Sequence, residues 1–200
     1  MRPPSERAAP SRLVRFASPL ALLAAMWLIR IADDVLPGSF TAFGLRSWDA
    51  AGLVGVVVGP LVHSGWPHLL ANSAPFLILG WLVAVEGAAR FWTVTAVVAL
   101  VAGAGTWVVN APGTVTVGAS GLVFGYVGYI VARVFTTGRM AHRFAYAIVA
   151  VLVVAVYGGS VLTGVLPLRD GVSWQAHLFG AIGGVLAAVV LRRRGRPASS

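Results

Sequence analysis

The stretch VGASGLVFGYVGYIVARVFT, residues 117–136, is an apolar run of the length that a membrane-spanning helix needs. A bilayer core requires about 20 predominantly apolar residues per helix. Five further runs of this kind fall at residues 17–36, 66–85, 91–110, 144–165 and 174–191. The sequence therefore predicts an all-α polytopic membrane protein that crosses the bilayer six times.

The composition excludes an ordinary soluble domain. Only 10% of the 200 residues are charged and the mean hydropathy is +0.85, whereas soluble chains carry roughly 25% charged residues. Cysteine is absent, which excludes disulfides, thiolate metal sites and a thiol nucleophile.

The basic residues indicate an orientation in the membrane. All 15 are arginine, the net charge is +9, and they lie at the ends of apolar runs. This placement argues against nucleic-acid binding, which needs a basic face on a soluble fold. With the N-terminus inside, the outer side holds only Arg30, Arg46 and Arg169. Because arginine accumulates on the cytoplasmic side, we expect both termini in the cytoplasm and the protein in the plasma (inner) membrane.

Three parts are expected along the chain. Residues 1–15 form a basic tail, residues 16–191 a membrane domain, and residues 192–200 a second basic tail. Between the first two spans, residues 40–65 are apolar and glycine-rich but too short for a seventh span. This pattern favours a re-entrant or interface-lying loop whose backbone is buried against protein.

Four polar side chains lie where the membrane makes polar groups costly and often functional. His68 and Asn72 begin the second span, Ser120 begins the fourth and His177 begins the sixth. Even-numbered spans all run from outside to inside, so these groups share a depth near the outer leaflet. Purely structural alternatives remain open: a serine bonded to its own helix, a core histidine, and a pair that ties helices together.

Two stripes of small residues start beside this polar group. One consists of Gly121, Gly125 and Gly128, and the other of His177, Gly180, Gly184 and Ala187. Small residues at helical spacing let membrane helices approach closely. Contact between the stripes would bring the Ser120 hydroxyl within reach of the His177 imidazole, as an activated nucleophile requires.

The remaining polar residues suggest supporting roles. His68 and Asn72 lie on one helix face and could donate to a developing oxyanion, and His63 is expected to organise the loop. No acidic residue lies near the three histidines in sequence, so a zinc site is not expected. We expect no metal and no cofactor.

The motifs in this order resemble those of the rhomboid family of intramembrane serine proteases, over residues 43–191. The resemblance rests on HxxxxHxxxN, Gly-x-Ser-Gly and His-x-x-Gly-x-x-x-Gly, which here are His63, His68, Asn72, Gly118, Ser120, Gly121, His177, Gly180 and Gly184. It implies a six-helix rhomboid-like bundle with Ser120 as nucleophile, His177 as base and no acidic third member. It also implies an oxyanion site built from His68, Asn72 and the Ser120 backbone N–H.

Two positions depart from the family pattern. Many bacterial members have tyrosine four residues after the nucleophile, where this chain has Phe124, and a Trp-Arg motif of the first outer loop is not evident near Arg46 and Trp48. The resemblance nevertheless implies a minimal six-helix protease. Such an enzyme cleaves transmembrane segments of membrane-protein substrates near the outer leaflet, through an acyl-enzyme, with lateral entry past the fifth span.

Two other functions are weighed against this one. The first is a catalytically inactive rhomboid-like protein that binds membrane clients, although such relatives typically lack the serine or the histidine. The second is a small transporter, which predicts polar groups at mid-membrane and internal repeats. The third and fifth spans carry almost no polar residues, and no convincing repeat is found.

Overall fold

The computed structural model of the chain describes residues 12–138, 140–167 and 171–192. Its six long helices are α1 (Arg12–Val35), α2 (Trp66–Ala84), α3 (Ala88–Val109), α4 (Ser120–Thr136), α5 (Met140–Gly164) and α6 (Trp174–Val190). They coincide with the six apolar runs, and the predicted all-α membrane bundle is confirmed. Most of the two predicted tails, and Arg169, lie outside the described residues.

The helices differ in length. In the described residues, four are long and apolar enough to cross a membrane: Val14–Val35, Trp66–Ala84, Ala88–Val109 and Met140–Gly159. Helices α4 and α6 have 17 residues each, which is about 26 Å at 1.5 Å per residue. The expectation of about 20 residues is wrong for these two. A left-handed glycine, Gly118, precedes α4, and Ser173 caps the start of α6.

Helix α4 occupies the centre of the bundle. It packs against α2, α3, α5 and α6, while α1 packs on α2 and α6 also packs on α3. Its side chains are buried on nearly every face, and the Tyr126 hydroxyl lies 2.8 Å from the Thr95 hydroxyl. Most of the outer face of α5, by contrast, is exposed to the surroundings.

The connection between α1 and α2 is a folded structure in its own right. It contains short helical segments at Phe40–Phe43 and Ala51–Leu61 and the strand β1 (Leu45–Arg46). Strand β1 pairs antiparallel with β2 (Val115–Thr116), which lies just before α4. The Gly118 N–H also donates to the Gly59 carbonyl over 2.9 Å. The long connection therefore holds the segment that leads to Ser120.

A buried ion-pair cluster closes the opposite end of the bundle. Glu86, between α2 and α3, accepts from both Nε and Nη2 of Arg133, each at 2.9 Å. It also accepts from the hydroxyls of Tyr129 at 2.7 Å and Tyr146 at 2.6 Å. Burial raises the pKa of Glu86, but these hydrogen bonds outweigh it and hold the pKa below its usual value. The cluster joins the α2–α3 turn to α4 and α5.

Candidate active site

Ser120 is the first residue of α4 and follows a tight turn. Gly118 has φ of +108°, a conformation that favours glycine. A Cβ atom at Gly118 would also lie 2.6 Å from Nε2 of His68. Glycine is therefore required at position 118 both for its backbone angle and for the close approach of the imidazole. At the start of α4, the first backbone N–H groups have no partner within the helix.

His63 holds this turn from the α1–α2 connection. Its Nε2 accepts a hydrogen bond from the Ala119 N–H over 3.3 Å, and its ring meets the His68 ring edge-on at 5.0 Å. Burial is the largest cause that lowers the pKa of His63 to about 4, and the nearby His68 adds to it. The imidazole is thus neutral at pH 7, and the unprotonated Nε2 can accept from Ala119.

His68 and Asn72 lie one helical turn apart at the start of α2. The His68 Nδ1 is 3.1 Å from the Ser64 hydroxyl, which can donate to it. Nε2 would then carry the proton and face Gly118, two residues before Ser120. Asn72 is buried, and one of its amide hydrogens is bonded to the His68 carbonyl at 2.9 Å. Its second amide hydrogen remains for another acceptor.

His177 lies in the first turn of α6, against α4 and α5. Its ring stacks on Phe124 with 4.0 Å between centroids and 10° between planes. Its Nδ1 is 2.9 Å from the carbonyl oxygen of Gly164, the last residue of α5. Because a carbonyl only accepts, Nδ1 must carry the proton and Nε2 is left as an acceptor.

The two glycine stripes are in contact along α4 and α6. A Cβ at Gly180 would press on the backbone of Gly121, one at Gly184 on Gly125, and one at Gly128 on Ala181. The backbones of the two helices therefore approach without side chains between them, as small residues permit.

This packing relates Ser120 to His177. Ser120 and Phe124 are four residues apart and share one face of α4, and Phe124 covers the His177 ring. The hydroxyl and the imidazole are therefore on facing surfaces. The Ser120 hydroxyl makes no hydrogen bond to another residue that the structure describes. Such bonds are often looser in unliganded enzymes and tighten with substrate.

The arrangement fits a serine nucleophile beside a histidine base. The N-terminus of α4 also lies beside the His68 imidazole, and free backbone N–H groups with a nearby side-chain donor are what an oxyanion site requires. In the described ranges, no group of three His, Asp or Glu side chains could hold a metal ion. The sequence pattern did not identify the Gly164 carbonyl, because a backbone acceptor has no side-chain signature. The charged side chains of Glu86 and Arg133, at the ends of apolar runs, are a sequence signal for the ion pair that they form.

Known proteins are similar to this chain in sequence. The family model described as "Rhomboid domain" matches residues 47–194. An uncharacterized protein of Mycobacterium tuberculosis is 36% identical over 180 residues, which covers 86% of this chain and 73% of the relative. An uncharacterized protein of Mycobacterium leprae is 38% identical over 180 residues, which covers 86% of this chain and 69% of that relative.

Proposed function

Since the chain belongs to the rhomboid family, we propose that it is an intramembrane serine endopeptidase that cleaves transmembrane segments of membrane-protein substrates. Ser120 is the nucleophile and His177 the general base. The observation that carries this proposal is the direct contact of α4 and α6 beside both residues, with Phe124 stacked on His177.

The reaction is acyl transfer in two stages. His177 Nε2 takes the proton of the Ser120 hydroxyl as the serine oxygen bonds to the scissile carbonyl carbon. The resulting oxyanion accepts from the Ser120 N–H, His68 Nε2–H and the second amide hydrogen of Asn72. The protonated His177 then gives its proton to the departing amine as the C–N bond breaks. Water, activated by His177, hydrolyses the acyl-enzyme and frees the serine.

The site lies near the outer leaflet in the orientation that we propose. The starts of α2, α4 and α6 lie at one end of the bundle, and the Glu86 cluster lies at the other. Arg15 and Arg90 both bind near the Glu86 end, at the Val85 carbonyl and at Glu86 itself. Positive charge favours the cytoplasmic side. In this orientation the site faces the outer side of the membrane, from which water can enter.

Removing either member of the dyad is expected to abolish the reaction. In detergent or liposomes, Ser120→Ala and His177→Ala should leave no detectable cleavage of a model transmembrane substrate. A fluorophosphonate probe should label the wild type at Ser120 and neither variant, because the probe needs an activated serine. Melting temperatures near wild type would show that the variants are folded. Cleavage by either variant would refute the dyad. A folded wild type that neither reacts with the probe nor cleaves would favour an inactive client-binding protein.

Loss of one oxyanion donor is expected to lower turnover without eliminating it. His68→Ala and Asn72→Ala should each reduce kcat by roughly 10²–10³-fold, the usual cost of one such donor. Probe labelling per folded molecule and melting temperature are measured on the same preparations. If specific turnover stayed at the wild-type value while melting temperature fell, the two residues would be structural.

The orientation is testable because the chain has no native cysteine. An impermeant maleimide applied to intact cells should label Thr114→Cys, in the exposed turn before β2, and leave Gly138→Cys, between α4 and α5, unlabelled. Both positions are exposed, so both should label after the membrane is permeabilised. The opposite pattern in intact cells would reverse the orientation.

A further inference from the structure

The last carbonyl of α5 has an unusual partner. The final four carbonyl groups of an α-helix lack intrahelical donors, and that of Gly164 accepts from Nδ1 of the buried His177 over 2.9 Å. The contact joins residues of different helices at the centre of the candidate site. It uses a backbone group, so no side chain of α5 is needed for it.

We propose that the C-terminal end of α5 orients and stabilises His177, the role that an acidic residue has in a Ser-His-Asp triad and that no side chain has in this dyad. This inference rests on the proposed serine-protease function. The Gly164 carbonyl holds the proton on Nδ1, which leaves Nε2 free to accept from Ser120. The C-terminal end of a helix also carries about half a unit of negative charge, which stabilises a nearby cation. The imidazolium that forms when Ser120 loses its proton is such a cation.

The packing around Gly164 leaves room for its backbone to approach His177 but no room for a side chain. A Cβ atom there would lie 2.9 Å from Nδ1 of His177 and 3.1 Å from Cε1 of Phe124. A side chain at position 164 would therefore push the end of α5 off the imidazole. Glycine allows the backbone itself to act as the ligand of the ring.

The acidic side chains that the structure describes are engaged elsewhere. Asp33 and Asp34 pair with Arg30, Asp49 lies beside Arg46, and Glu86 binds Arg133 at the far end of the bundle. None of these carboxylates takes the place of Gly164 at Nδ1. Asp170 lies outside the described residues and is included below as a variant.

The experiment reads the tautomer of His177 in the full-length protein. Protein labelled with ¹⁵N-histidine is studied by NMR in micelles, and the His177 signals are assigned by their loss in His177→Gln. We expect a neutral ring with the proton on Nδ1, which is the less common tautomer of free histidine. Gly164→Ala should convert this ring to a mixture of tautomers.

A second variant weakens the carbonyl without adding a side chain. Replacing Val165 by its α-hydroxy acid turns the 164–165 amide into an ester, whose carbonyl is a poorer acceptor. We expect the same change in tautomer and a fall in kcat of about 30-fold with KM nearly unchanged, the size of a partly buried cation interaction at a helix end. The same ester at Val156, exposed on α5, and Asp170→Asn should change neither quantity.

Three results would overturn the proposal. They are a wild-type ring protonated on Nε2, an ester at Val165 that leaves both tautomer and kcat unchanged, and loss of the Nδ1 proton in Asp170→Asn. A wild type that cleaves nothing but keeps the proton on Nδ1 would count against the proposed protease function and leave the contact standing. The two hypotheses therefore fail in different measurements.

Discussion

Gly184→Val is expected to inactivate and destabilise the protein, although Gly184 lies two turns below His177. A Cβ at this position would lie 2.7 Å from the backbone nitrogen of Tyr129 and closer still to the Gly125 carbonyl. Valine adds two methyl groups beyond that atom, so α4 and α6 must separate. Overpacking typically costs about 1–3 kcal/mol, and a backbone collision should reach at least the upper end. A displacement of about 1 Å at the dyad costs on the order of 100-fold in rate.

The matched control for this change is Gly159→Val on α5. A Cβ at Gly159 meets no atom within 4 Å, so melting temperature and probe labelling should stay near wild type. Both quantities are measured on purified protein in the same detergent. If Gly184→Val melted and reacted like Gly159→Val, the glycine stripes would not set the distance between Ser120 and His177.

Glu86→Ala is expected to lower the free energy of unfolding by about 3–5 kcal/mol, as removal of one partner from a buried ion pair does. The side chains of Glu86 and Arg133 are only 16% and 10% exposed. Without Glu86, the Arg133 charge is left buried and the hydroxyls of Tyr129 and Tyr146 lose their acceptor. Reversible denaturant unfolding in micelles measures the loss.

Two comparisons test the cause of that loss. Asp49→Ala breaks an ion pair whose side chains are both 45% exposed, and such pairs contribute about 0–1 kcal/mol. Adding Arg133→Met to Glu86→Ala removes the unpaired charge and should restore part of the stability. If Glu86→Ala lowered the free energy of unfolding no more than Asp49→Ala, the buried cluster would contribute no more to stability than an exposed ion pair.

The helices could be predicted from the sequence because each membrane span is a continuous run of apolar residues. The run at 66–85 became Trp66–Ala84, and that at 174–191 became Trp174–Val190. The family resemblance drawn from three motifs is confirmed. The catalytic and oxyanion roles of Ser120, His177, His68 and Asn72 stay predictions.

The parts that could not be predicted depend on contacts distant in sequence or on the backbone. The pairing of Leu45–Arg46 with Val115–Thr116 joins two-residue strands that no periodicity reveals. The burial of Arg133 against Glu86 joins two residues that are 47 positions apart. The acceptor for His177 is a main-chain carbonyl, which any residue at position 164 would also possess.

The shortness of α4 and α6 has a consequence for the surrounding lipid. Helix α4 is enclosed by other helices, but α6 exposes Ile182, Val185, Leu186 and Val189 along one side. A 17-residue helix leaves about 4 Å of a 30 Å hydrocarbon layer unmatched. The acyl chains beside α6 must therefore tilt or compress, at a fraction of a kcal/mol per Å. Lipids with shorter acyl chains would relieve this mismatch, so the protein should partition toward the thinner regions of a mixed bilayer.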